Sequence, residues 1–171
     1  MYERQVGFWE AVASGFRNYF RFSGRAQRAE YWWFYLFTVL VTIGLSILDM
    51  SVFGIEFTSE TFSPMSDMFS LAVLVPTLSL GWRRMHDIGR SGWWNFLILA
   101  PLAWMVAALI VFTVPEGDFT GTGVLAVIIG LIGTLAAGIY VIVLLATDSD
   151  VGPNAYGPSV KYFSAPYDAE E

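Results

Sequence analysis

Cysteine is absent from the 171 residues, and histidine occurs once, as His86. The first absence excludes disulfides, thiolate nucleophiles and thiolate metal sites, and the second excludes any multi-histidine metal centre. No metal site, no cofactor and no catalytic set is expected. Charge is also scarce: 14% of residues are charged against 56% hydrophobic, with a mean hydropathy of +0.56. That balance is too apolar for an ordinary soluble domain of this size. The first thirty residues carry five arginines and lack an uninterrupted apolar run before a small-residue cleavage site, so no removable signal peptide is expected.

What the chain has in excess is long apolar runs. A helix needs about 20 mostly apolar residues to cross a hydrocarbon core of about 30 Å. Four stretches meet or approach this: 31–48, 68–82, 93–114 and 123–147. The second is short and contains Pro76, so it either extends into Phe62–Asp67 or sits partly inside the bundle. Four such runs leave too little polar surface to cover them in water. The spans hold no charged residue as drawn, which disfavours a proton relay or charged ion path at the midplane. Pro76, Asn95 and Pro101 read as kinks or as openings of the backbone for binding, and the small residues Gly130, Gly133, Ala137 and Gly138 as a close-packing face.

The net charge of −6 is less informative than where each sign falls. All nine basic residues precede the first span, lie between the second and third, or follow the fourth. The other two loops hold only acidic residues: Asp49, Glu56, Glu60, Asp67, Glu116 and Asp118. By the positive-inside rule both termini and the Arg-rich turn are expected to be cytoplasmic.

The fold expected is all-α: a four-helix transmembrane bundle preceded by an amphipathic interfacial helix. Residues 1–22 form that helix, with Phe8, Trp9, Val12, Phe16, Tyr19 and Phe20 at helical spacing and Arg17 and Arg21 turned to anionic headgroups. Residues 23–158 form the membrane domain with a turn-rich tail, and 159–171 a mobile end.

The densest polar cluster is Gly81–Trp94, which reads as a tight turn in the headgroup layer, with Ser91 capping the third span. Trp9, Trp32, Trp33, Trp82, Trp93 and Trp94 read as interfacial anchors, and Arg83 and Arg84 as inside-positive anchors. A Ser91–His86–Asp87 triad is excluded by spacing and by the lack of a nucleophile elbow. Asp148, Asp150, Gly152 and Asn154 echo the start of a calcium loop, but no glutamate closes it, so solvated turn residues are expected. Anchoring leaves unexplained why His86, Asp87, Ser91, Glu30 and Asn154 lie at one depth.

Three segments carry a resemblance. These are Phe22-Ser23-Gly24-Arg25-Ala26-Gln27-Arg28-Ala29-Glu30-Tyr31-Trp32-Trp33, then Arg83-Arg84-Met85-His86-Asp87 with Gly89-Arg90-Ser91-Gly92-Trp93-Trp94, then Gly152-Pro153-Asn154-Ala155-Tyr156-Gly157-Pro158. In order and spacing they resemble the signatures of the bacterial domain of unknown function 805 family, small inner-membrane proteins, over roughly Ala11 to Pro158. Met85 stands where the family usually has leucine, a mild change between flexible apolar residues. The resemblance implies a helical protein of the bacterial inner membrane and no particular activity.

In the four-span topology the three segments emerge on one face. Arg25, Arg28, Glu30, Arg83, Arg84, His86, Asp87, Asn154 and Tyr156 are therefore expected to form one site in the inner headgroup layer, with arginine forks suited to phosphate or carboxylate. The expected function is non-enzymatic binding of an anionic headgroup or a partner protein. The alternatives are an enzyme acting on lipid or another phosphate-bearing substrate through His86, and a small oligomeric transporter. The partners expected are the bilayer, anionic lipid, and a second copy or another membrane protein; nucleic acid is not among them.

Overall fold

The structure, a computed structural model, describes residues 2–54, 62–113 and 121–163. Four helical segments among them are long and apolar enough to cross a membrane. A shorter helix, α1 (Phe8–Arg17), precedes them. The first span, α2 (Arg28–Phe53), ends at Gly54, whose left-handed backbone (φ +65°) closes the helix. Its neighbour α3 (Pro64–Asp87) starts with proline in the first turn, where a missing N–H costs nothing. At that end of the bundle Asp49, buried near the end of α2, accepts the Met65 and Ser66 amides at 3.0 and 2.9 Å and the Ser66 hydroxyl at 2.9 Å. It caps α3 from the neighbouring helix, so an acidic residue that reads in the sequence as a loop charge joins two spans.

The second span is therefore longer than 68–82 at both ends, and Pro76 does not interrupt it. Proline removes the N–H that would bond the carbonyl four residues earlier, at Ala72. The Tyr19 hydroxyl, from the turn after α1, donates to that carbonyl instead. The Ser79 hydroxyl bonds the Asn18 carbonyl at 3.1 Å, so the turn docks where α3 lacks its own bond.

At the other end α3 continues through Arg83, Arg84 and His86 to Asp87. The expected tight turn over Gly81–Trp94 is thus mostly helix. Only the short Ile88–Ser91 stretch connects it to a 3-10 turn, Gly92–Phe96, where the Ser91 hydroxyl accepts from the Trp93 amide at 3.5 Å. Gly89, at φ +67°, ends α3: its N–H donates to the His86 carbonyl and that of Arg90 to the Met85 carbonyl, a Schellman arrangement. The third span begins in the 3-10 turn and continues as α4 (Leu99–Thr113). Asn95 opens no backbone there, since its amide donates to the Gly92 carbonyl at 2.9 Å.

The fourth span, α5 (Gly121–Ala146), packs chiefly on α4. A Cβ on Gly130 would lie 2.7 Å from Met105 Cβ, and one on Gly133 would lie 3.1 Å from Pro101 Cβ. The small residues thus bring two helices together. The outer ends of both hairpins, with Glu56, Glu60, Glu116, Asp118 and Val114, lie outside the described residues, as do residues 164–171.

Two expectations about the chain ends change. The interfacial helix is the ten-residue α1, and it docks on α2 through buried Ala11 and Gly15; a Cβ at Gly15 would sit 2.3 Å from the Phe34 ring. Its outer side keeps Trp9 75% exposed, and Phe20 just beyond is 76% exposed, apolar surface suited to the acyl boundary. The tail is fixed up to residue 163 rather than mobile from 159. A strand β2 (Tyr162–Phe163) pairs antiparallel with β1 (Tyr2–Glu3), and Ser159 and Lys161 are buried.

The Pro76 junction yields a prediction. Tyr19→Phe should lower stability in detergent by about 1 kcal/mol, the usual net worth of one hydrogen bond. Pro76→Ala restores the missing N–H to Ala72, so in that background the Tyr19→Phe penalty should shrink toward zero, as read from thermal unfolding in a double-mutant cycle.

Candidate functional site

The site lies at the end of the bundle where the basic residues gather, and it has two parts. The first is a sealed ionic clasp. Asp87, in the last turn of α3, receives Arg25 Nε on Oδ1 at 2.9 Å and Arg84 Nη1 on Oδ2 at 2.8 Å; all three side chains are fully buried. Arg25 donates further through Nη1 to the Gly152 and Gly157 carbonyls at 2.7 and 3.3 Å. Its Nη2 reaches the Asp150 and Asp87 carbonyls at 2.7 and 3.2 Å. Every one of its five N–H groups has an acceptor. Arg84 spends Nε on the Leu145 carbonyl at 3.1 Å and Nη2 on that of Thr147. These carbonyls lie at the C-terminal end of α5, where helix carbonyls lack partners and the macrodipole favours a cation.

The tail is laid over this clasp by further bonds. The Asp150 amide donates to the Asp87 carbonyl at 3.1 Å. Asn154 donates from its side chain to the His86 carbonyl at 2.9 Å, and its Oδ1 accepts the Tyr156 amide at 2.9 Å. Asn154 and Gly157 exchange both backbone bonds, closing a four-residue hairpin. That hairpin places the Tyr156 ring flat on His86, with centroids 3.8 Å apart and planes 4° from parallel. His86 Nδ1 lies 3.1 Å from the Gly24 carbonyl, which makes that nitrogen the N–H donor.

The second part is a cavity of about 310 Å³ beside the clasp. Its walls come from α1 (Glu10, Ser14), the α1–α2 link (Asn18, Arg21, Gly24, Arg25), α2 (Glu30), α3 (Arg83), the N-terminal segment (Arg4, Val6) and the tail (Tyr156, Pro158, Val160). Arg83 is the residue out of balance. It is buried, its Nη1 meets Glu30 Oε1 at 3.3 Å, and its Nε and Nη2 have no partner among the described residues. Those two nitrogens share one edge of the guanidinium plane, so their N–H groups run parallel and match two oxygens of one carboxylate or phosphate. Both atoms are sealed from solvent in this arrangement. Glu30 Oε1 also accepts from the Ser14 hydroxyl at 2.6 Å.

The nine expected site residues thus divide. Arg25, Glu30, Arg83 and Tyr156 border the cavity, while Arg84, His86, Asp87 and Asn154 do not. Arg84 and Asp87 are closed inside the clasp, and Arg28 stands half exposed beside Asp148 at 3.8 Å, away from the cavity. Sequence reasoning missed Arg4, Glu10, Ser14, Asn18 and Arg21 as cavity walls. The small face of α1, Ala11-Ser14-Gly15-Asn18 at helical spacing, is the signal that α1 packs on protein. The echo of a calcium loop at Asp148–Asn154 is a set of turn and capping bonds, and no cluster of three or more metal-ligating residues occurs among the described residues.

Lys161 ties the N-terminal segment to the tail. Its ammonium lies 2.7 Å from Asp148, 2.6 Å from Glu3 and 3.0 Å from the Tyr162 hydroxyl. Desolvation lowers the Lys161 pKa, but the bonds to Asp148, Glu3 and Tyr162 outweigh it and hold it above the ordinary value. The same Lys161 contact brings the Asp148 carboxyl down to about 2. The pair is fully charged throughout the neutral range.

Four membrane-length helices, with a buried Arg–Asp–Arg clasp joining α3 to the end of α5 and to the link before α2, define a multi-pass integral membrane protein. Residues 19–158 match the family described as "Protein of unknown function (DUF805)", and the chain belongs to that family. Among its relatives, the inner membrane protein YhaI of Escherichia coli K12 is 38% identical over 102 residues, 59% of this chain and 80% of YhaI. The inner membrane protein YhaH of the same strain is 34% identical over 102 residues, 59% of this chain and 81% of YhaH. The uncharacterized protein YiiR of that strain is 33% identical over 96 residues, 52% of this chain and 55% of YiiR. No solved structure matches. The protein is an integral, multi-pass protein of the inner membrane.

Two predictions follow from this geometry. Asp87→Asn leaves two buried guanidinium groups without their counter-charge, and removing one partner of a buried pair costs about 3–5 kcal/mol. Thermal unfolding in detergent should show a loss of that order, or no folded protein. For Asp148, whose folded pKa is depressed from 3.8 to about 2, the stabilisation is fully present above pH ~4 and is lost as pH falls through the folded value. Protection of the Arg4 amide, which donates to the Lys161 carbonyl at 2.8 Å, should therefore be unchanged from about pH 8 to about pH 5. In Asp148→Asn it should be reduced already at neutral pH, as read by hydrogen exchange.

Proposed function

We propose that this protein is a non-enzymatic binding protein that takes an oxyanion, a phosphate or carboxylate, into the Arg83 cavity on the cytoplasmic side of the membrane. The observation that carries this reading is the unpaired Nε–Nη2 edge of a buried arginine on the wall of a cavity. A buried donor without a partner costs about 1–3 kcal/mol, and two on one rigid edge are what a bidentate oxyanion satisfies. Arg21 adds a second cation on the same wall, its Nη1 only loosely held by Asn18 Oδ1 at 3.5 Å. The cytoplasmic orientation rests on the gathering of all nine basic residues at this end, under the positive-inside rule. His86 does not border the cavity and carries the stacked Tyr156 ring, which favours binding over acid–base chemistry.

The test is native mass spectrometry of the mildly solubilised full chain beside Arg83→Gln. The variant should keep its fold, because the clasp does not use Arg83, and should lose about tenfold in occupancy of a retained phosphate-bearing species. Equal occupancy in the two proteins would sink the reading. A tag at either terminus should be accessible only from the cytoplasm; access from the opposite side would overturn the orientation.

A further inference from the structure

The cavity holds acceptors as well as donors. Glu30 makes both of its bonds, to the Ser14 hydroxyl and to Arg83 Nη1, through Oε1 alone. No described residue bonds Oε2. A second carboxylate, Glu10, stands on the same wall but is ion-paired with Arg4, and no lysine borders the cavity. Arg25 brings nothing to a ligand, since all its donors are spent. The cavity wall thus holds an arginine with two unpartnered N–H groups, sealed as the side chain lies and reached by a turn of the guanidinium, and, one side chain away, a carboxylate oxygen that no described residue bonds. A ligand carrying only negative charge would use the first and leave the second without a donor.

We infer that the cavity is built for a zwitterion: an oxyanion with a primary ammonium a few ångströms away, the ammonium directed to Glu30 Oε2. This inference rests on the oxyanion reading given above. That reading requires only Arg83; the ammonium requires Glu30. The same chemistry occurs in the phosphoethanolamine headgroup of a bilayer lipid and in free phosphoethanolamine. Arg83 and Glu30 are neighbours, 3.3 Å apart where they meet, so a ligand that draws the guanidinium toward itself presents its two charges close together. A charge-assisted hydrogen bond contributes about 1.5–3 kcal/mol, enough for about a tenfold preference over a ligand lacking the ammonium.

The full-length protein should be tested in nanodiscs and in detergent against two matched pairs. One pair is phosphatidylethanolamine and phosphatidylglycerol, scored by lipid retained in native mass spectra. The other is phosphoethanolamine and inorganic phosphate, scored by calorimetry. The wild type should prefer the ammonium-bearing member by about tenfold in at least one pair. A preference among the lipids alone assigns the cavity to a headgroup, and one among the soluble ligands alone to a free compound. Glu30→Gln keeps an oxygen for Ser14 and Arg83 but removes the charge, so it should erase the preference while oxyanion binding persists. Arg83→Gln should weaken both members of the pair. No preference in the wild type overturns the zwitterion, and it does so whether or not Glu30→Gln folds. Binding of every ligand unchanged in Arg83→Gln overturns the oxyanion reading itself.

Discussion

The Asp87 carboxylate, shared between two buried guanidinium groups, is the contact on which the basic end of the molecule depends. Removing Arg25 and Arg84 from water carries a penalty of several kcal/mol per ion, and one carboxylate leaves the trio with a formal charge of +1. The remainder is met by backbone. Six carbonyls, those of Asp87, Asp150, Gly152, Gly157, Leu145 and Thr147, accept from the two arginines, and the end of α5 contributes about half a negative charge. Lysine could not replace either arginine here, because three donors on one atom cannot reach acceptors spread around a plane. The clasp therefore fixes the α1–α2 link, α3, the end of α5 and the tail relative to one another, and it does so with polar groups in a region where water is scarce.

The same residue type does opposite work a short distance away. Arg25 has all five donors occupied and is structural; Arg83 has one edge occupied and one empty. Burial alone does not distinguish them, since both are almost fully buried. Satisfaction does. The free energy stored in an unmet buried donor is available to whatever fills it, so it is the unsatisfied arginine, not the most buried or the best connected one, that marks the place for a ligand.

The four spans and the gathering of three distant segments at one end are legible in the sequence, because hydropathy and the placement of charge act over whole helices. The division of labour inside the gathered set is not. Arg83 and Arg84 are neighbours in the chain, but a helix turns about 100° per residue, so one faces α1 and α2 and the other faces α5. Arg28 shares a segment with Arg25 and ends up half exposed beside Asp148. The Gly-Pro tail reads only as a run of turns, because its partners, Arg25, Asp87 and Lys161, lie at sequence separations no local pattern reveals. Trp9 and Phe16 of α1 are exposed, in keeping with the amphipathic spacing, while its small face, which meets Phe34, goes unread.

Pro76 shows how a feature that weakens a span in the sequence strengthens the fold. A proline in mid-helix exposes one carbonyl, and in lipid an exposed carbonyl must find a donor. The donor is Tyr19, and with Ser79 holding the Asn18 carbonyl it ties the end of α1 to the middle of α3. The same turn carries Asn18 and leads to Arg21, both walls of the cavity. The Asn18 side chain in turn bonds the Ser14 carbonyl at 2.9 Å and lies 3.2 Å from the Ser14 hydroxyl, which bonds Glu30. A missing backbone donor in the membrane is thereby linked, through four side chains, to the carboxylate beside Arg83. The proline that makes the second span hard to recognise thus helps to position the wall of the cavity.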